Sequence, residues 1–201
     1  MSSAWRDTPA RMLTPEAVAY HEAGHVVVGY EFGWWVRRGG VRLGPGAHAR
    51  LQNLPPDGTL LARICVYMAG MLAEQKFHGV RWRFEEEIVD QIQAVRAGES
   101  EGARLFPTDF RAIALALLDD DPSISPRGAR RAVRYCRAET QALLDQPRVW
   151  AGVERLARVL LRRRYLSPRT IKQVLGQAFF VGHPASRPGA AVPARASRLR
   201  L

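Results

Sequence analysis

Apolar residues recur at helical spacing over most of this chain, and one stretch near the N-terminal third breaks that rhythm with glycine, proline and β-branched residues. Thr14, Pro15 and Glu16 read as an N-cap, a first helical residue and a first-turn acid, which predicts a helix from Pro15 to about Phe32 ending near Gly33. The following WWVRRGGVRLGPGAHARLQNLPPDG predicts two or three short strands, with turns at Gly39-Gly40 and Gly44-Pro45-Gly46. From Thr59 to about His78, residues Leu61, Ile64, Cys65, Met68 and Leu72 share a helical face. Ala69 and Gly70 flank that face, where another helix can approach closely, and Gly79 reads as the stop. The charged RWRFEEEIVDQIQAVRAGESEGARL predicts a shorter helix and a flexible loop. Further helices are expected from about Thr108, from Pro126 to about Leu144, from Val149 to Arg164, and from the Ser167-Pro168 cap through Phe179. The pattern is that of a mainly α fold with a small β element, without internal repeats.

Composition narrows the class. A chain of 201 residues with 47% apolar content has room for one ordinary domain and a hydrophobic core. The best apolar run, Val26 to Val36, is interrupted by Glu31 and falls short of the roughly 18 residues that a membrane span requires. The opening MSSAWRDTPA lacks the build of a signal peptide, so a soluble, cytoplasmic protein without a membrane segment is expected. Cys65 and Cys136 have no CxxC partners, which excludes a thiolate zinc knuckle and leaves two reduced, buried thiols. The formal charge is +11, and all but Lys76 and Lys172 of the 30 basic residues are arginine. That bias accompanies abundant Ala, Gly and Pro, as in a GC-rich coding sequence, and it does not favour a nucleic-acid partner. Arg127, Arg130, Arg131, Arg134 and Arg137 form a stripe at helical spacing, and Arg162, Arg163 and Arg164 a second cluster. A solvated face or an acidic partner subunit is the expected reading, since only Tyr135 intrudes in the stripe. Residues 181–201, Arg-, Pro- and Ala-rich with no acid, are expected to be a disordered tail, and residues 1–13 an N-terminal extension.

The chemistry lies in AVAYHEAGHVVVGY. On a helix, residues i and i+4 share a side with their Cβ atoms about 5–6 Å apart, so His21 and His25 can aim both imidazoles at one ion. Glu22, about 100° round the helix, can lean over the ion without binding it. This is the HExxH arrangement of zinc peptidases, in which two histidines bind, water is lowered toward a pKa of ~7, and the glutamate takes its proton. Ala23 and Gly24 are small enough to let other elements pack close. A catalytic zinc usually takes a third protein ligand. Val28 and Glu31 stand where the metzincin extension requires glycine and histidine, which excludes that subclass. Glu74 and Asp109 are the acids set in strongly patterned helical contexts, and spacing alone does not choose between them. Asp57 lies in an expected turn, and the runs 85–87 and 119–121 read as solvated faces or helix ends. His48, His78 and His183 are isolated and read as solvated or structural.

The ordered set AYHEAGHVVVG, YMAGMLAEQKFHG, PTDFRAIALALL and CRAETQALLDQPRVWAGVERLARVLLRRRYLSPRTIKQVL resembles the peptidase domain of the FtsH-type ATP-dependent zinc metalloproteases, from about Thr14 to Leu175. The resemblance implies a zincin-like active-site helix followed by a helical C-terminal half, spanning 14–180. It implies zinc bound by His21, His25 and Asp109, with Glu22 as the catalytic glutamate. Glu74 is then left to hydrogen-bond a ligand imidazole and fix its tautomer. The family's arginine within GGRAAEE is absent, its second glutamate is Gln75, and LFP precedes the aspartate. No GxxxxGK[ST] phosphate loop occurs, and about a dozen residues precede the first helix, so a stand-alone peptidase domain is expected. Its partners would be unfolded or exposed protein or peptide segments, with peptide adding to an edge strand from the Val41 to Asn53 region. A homo-oligomer and a separate ATPase partner stay open. Two rival readings are a regulatory HExxH peptidase of the ImmA/IrrE kind and a non-catalytic relative serving as an interaction module.

Overall fold

Thr14 opens the first helix: its backbone is extended and its hydroxyl accepts from Ala17 N at 3.1 Å, satisfying one of the amides the helix start leaves over. The same device recurs where Thr59 accepts from Ala62 N, Ser125 from Gly128 N and Ser167 from Thr170 N. Three of these four starts carry proline in the first turn, where its missing N–H costs nothing. The computed structural model describes residues 14–43, 48–52, 59–79, 82–99, 109–176 and 179. Among them are the helices α1 (Pro15–Glu31), α2 (Leu60–His78), α3 (Phe84–Arg96), α4 (Asp109–Asp120), α5 (Pro126–Leu144), α6 (Pro147–Arg163) and α7 (Pro168–Leu175). The strands are β1 (Trp35–Arg42), β2 (His48–Gln52) and β3 (Tyr165–Leu166). The fold is mainly α with a small β element. The extension 1–13, the tail 181–201, the Gly44-Pro45-Gly46 turn, the loop beyond residue 99, Thr108, Asp57 and His183 lie outside the described residues.

Helices α1 and α2 form the centre. Every residue of α1 from Glu22 to Tyr30 is buried, so this helix is surrounded rather than amphipathic, with α2 on one side and α6 on another. Val26, Val27 and Val28 are wholly buried, each worth about 1.5–3 kcal/mol relative to exposure. The approach of α1 to α2 is close because Gly24 has no side chain: a Cβ there would collide with the carbonyl of Ala69 and lie 2.7 Å from Ala73 Cβ. Helices α4 and α5 pack on α2, α3 packs on α4 and α5, and α6 and α7 close the core around α1 and the sheet. Phe84, Met68, Leu117, Leu156 and Leu166 are among its fully buried side chains.

The sheet has the order β2-β1-β3, antiparallel throughout. The expected turn at Gly39-Gly40 does not occur, because β1 runs through both glycines. Val36 and Val41 both reach the core, yet an odd spacing along a regular strand would put them on opposite faces. The register resolves this: Val36 faces Leu51 and Val41 faces Ala49, so β1 takes five steps while β2 takes two. Gly40, with φ of 66°, absorbs part of that irregularity. β3 is a strand the apolar pattern could not announce, since two residues carry no periodicity. Helix α6 begins at Pro147, two residues before the expected Val149, and α7 stops at Gly176, whose φ is 75°, instead of continuing through Phe179.

Cys65 and Cys136 are free and buried, and the fold brings them together: Cys65 Sγ donates to the Cys136 carbonyl at 3.6 Å. In α5, Arg127, Arg130, Arg131 and Arg134 are exposed as a stripe, while Arg137 turns aside to Glu85 at 3.7 Å and the ring of Phe84. The acidic runs serve helix ends and turns, with Asp119 on Arg63 at 2.8 Å and Asp121 accepting from Ser123 N at 2.9 Å. No described helix is long and apolar enough to cross a membrane.

Candidate metal centre

His21 and His25 stand one turn apart on α1 and face α2 and the start of α4. Each ring is anchored through Nδ1. Glu74 Oε2 lies 3.3 Å from His21 Nδ1, and the Val66 carbonyl lies 2.7 Å from His25 Nδ1. A carbonyl oxygen and a carboxylate only accept, so both Nδ1 atoms carry hydrogen and both Nε2 atoms point inward as bare acceptors when the rings are neutral. Those two Nε2 atoms are 3.0 Å apart. Asp109 Oδ2, at the first residue of α4, is 3.0 Å from His21 Nε2 and 3.3 Å from His25 Nε2.

Three acceptors converging within 4.8 Å repel one another unless a cation lies among them. Without a metal, the available cation is the proton. Burial works against charging His21, but Asp109, Glu74 and the neighbouring Glu22 outweigh it and hold its pKa well above the ordinary value. His25 is raised too, against its own burial, chiefly by Asp109. Burial works against ionising Asp109, yet His25 and His21 drive its pKa far below the carboxylate range. The site is therefore built for positive charge, and two imidazoles with a carboxylate form a donor set that divalent zinc accepts. Iron and manganese accept it as well.

Space at the site has a structural cause. The Cα of Gly70 in α2 faces the two rings; a Cβ there would collide with His25 Nε2 and lie 2.8 Å from His21 Nε2. Glu22, on the next position of α1 after His21, is 4% exposed, with Oε2 shielded from solvent. Glu74, 5% exposed, is held on α2 beside Gly70.

No protein-family model matches the chain, and a search of curated proteins finds no match to it. The site therefore rests on its geometry.

That geometry brings His21, His25 and Asp109 together and puts Glu74 on His21. It distinguishes the two acids that spacing left open: Asp109 faces both Nε2 atoms, whereas Glu74 faces an Nδ1. His78 stays apart, its ring 4.5 Å from that of Phe77. Two contributors were not recognised from sequence as parts of the site. The Val66 carbonyl left no trace because it is backbone, and Gly70 signalled close approach without revealing that the approaching groups are the imidazoles.

Proposed function

We propose that the chain is a zinc-dependent metallopeptidase that hydrolyses peptide bonds in unfolded or exposed protein segments, as its resemblance to the FtsH-type peptidase domain implies. The observation that carries this is the convergence of His21 Nε2, His25 Nε2 and Asp109 Oδ2 from two helices, with a buried glutamate next to the first histidine.

His21, His25 and Asp109 would hold the ion, which when bound acts as a Lewis acid and lowers the pKa of water. The remaining chemistry belongs to the chain. Glu74 and the Val66 carbonyl fix both rings as the Nδ1–H tautomer, which keeps Nε2 available and the ring planes set. Glu22, as a carboxylate, accepts a proton from the attacking water. It then delivers that proton to the departing amine nitrogen, and the new carboxyl group's proton also passes to that amine, so one peptide bond and one water become a carboxylate and an ammonium while Glu22 ends the cycle ionised. Its burial, at 4% exposure, limits competing solvent at the carboxylate.

The test separates binding from chemistry. Glu22→Gln should leave about one zinc per chain by elemental analysis while abolishing casein hydrolysis, because the glutamate is not a donor to the cluster. Undiminished turnover would remove Glu22 from the mechanism, and absence of zinc from the unaltered chain would remove the metal.

A further inference from the structure

The three-stranded sheet buries Val36, Val41, Leu43 and Leu166, and alternation sends Trp35, Arg42 and Tyr165 outward. Trp35 is 42% exposed and Tyr165 39% exposed, although large rings at a surface are costly to hydrate. Each has a cation over its ring. Lys172 Nζ of α7 is 4.3 Å from the Trp35 ring centroid, and the Arg42 guanidinium is 5.4 Å from that of Tyr165, its cross-strand partner. Tyr165 lies flat enough to cover Gly40, where a Cβ would come within 2.8 Å of its Cε2.

More positive charge surrounds these rings. Arg38 on β1, Arg163 at the end of α6 and Arg169 on α7 are all exposed. Arg164 is exposed too, with a φ of 60° that ordinarily favours glycine, and its carbonyl accepts from Leu43 N at 2.9 Å. No aspartate or glutamate occurs between Glu31 and Asp57, and none after Glu154. Glu31, which precedes the sheet, is taken by Arg148 at 2.7 Å. Sheet, α6 terminus and α7 thus make one cationic surface with two accessible rings.

We propose that this surface binds single-stranded nucleic acid, with phosphates on the guanidinium and ammonium groups and bases stacked on Trp35 and Tyr165. Charge alone would fit any polyanion; the rings decide between them. An acidic peptide carries a planar ring only where an aromatic residue happens to fall, whereas every nucleotide has one, and a duplex keeps its bases stacked inside. A single strand presents phosphates and unstacked bases together. Composition did not favour such a partner because the arginine excess accompanies abundant Ala, Gly and Pro, and only folding brings residues 35–42 beside 162–172. This surface does not depend on the metal reading.

Fluorescence anisotropy of a fluorescein-labelled oligothymidylate with the full chain, over a salt titration, tests it. Arg42→Glu with Arg169→Glu should weaken binding by roughly tenfold or more and reduce the slope of log affinity against log salt by about 1.4, from ~0.7 per lost phosphate contact. Trp35→Leu with Tyr165→Leu should weaken binding several-fold with the slope unchanged. Arg130→Glu with Arg131→Glu, on the α5 stripe, should matter less than either. Circular dichroism melts check folding, and single Tyr165→Ser serves if the ring pair does not fold. Unchanged binding by the ring variants overturns the proposal. So does displacement by polyglutamate as effective as by oligothymidylate, which would indicate an acidic protein, or equal displacement by duplex of matched phosphate count.

Discussion

Asp109 is the donor that α1 does not carry, so the cluster closes on it. Asp109→Ala should lose zinc and hydrolysis together, whereas Glu74→Ala should reduce them about 10- to 100-fold by letting the His21 ring turn. Zinc analysis beside casein turnover checks the order, and the reverse ranking would make Glu74 the ligand. The same three groups set a pH dependence whose sign depends on the metal. In chelated protein, the raised pKa of His21 contributes stability that is full below its unfolded value of ~6.5 and lost as pH rises through the folded one. The lowered pKa of Asp109 contributes stability present above ~3.9 and lost as pH falls through its folded value. Metal reverses the upper limb, because it requires the imidazoles neutral. Melting temperature above about pH 6.5 should therefore fall with pH after EDTA treatment and hold or rise with zinc present. Parallel curves would show that the two cations do not share the site.

At the scale of elements, two glycines separate fold from site. Gly24→Ala puts a methyl into the Ala69 carbonyl between α1 and α2 and should cost about 1–3 kcal/mol in denaturant unfolding. Gly70→Ala puts one against both Nε2 atoms, so it should abolish zinc binding with a smaller loss of stability. Equal effects on zinc from both would mean that the site merely follows the packing. Much of this level was legible beforehand. Thr14 and Ser167 act as the caps the sequence predicts, and Thr59 and Ser125 do the same, because capping is a local hydrogen bond that a few residues specify. What stayed illegible depends on partners distant in sequence. Gly39-Gly40 reads as a turn in isolation and becomes an irregular strand only because Val36 and Val41 must both reach the core. Tyr165 and Leu166 become a strand only where β1 already lies. Likewise, Asp109 and Glu74 are equivalent by helical context and differ only in which imidazole nitrogen they meet.

Among the described residues one continuous core runs from Ala19 to Phe179, and the cluster lies between helices of that core. On the proposed peptidase reading, only a segment that reaches it in extended form would be cut, and a folded domain seldom supplies one because opening costs several kcal/mol. No phosphate loop occurs in these 201 residues to power such opening. The purified chain should degrade casein and leave a tagged, folded fluorescent protein intact, with or without ATP. Destruction of the reporter by the chain alone would refute this, whereas destruction only with cell extract and ATP would indicate a separate ATPase. The placement of the donors also orders events during synthesis. Both imidazoles are in the chain once residue 25 is added, but the carboxylate that completes the cluster follows only at residue 109. At cellular elongation rates that gap is on the order of ten seconds. The nascent chain thus spends its most vulnerable interval, when its own segments are still extended, before the three donors can meet.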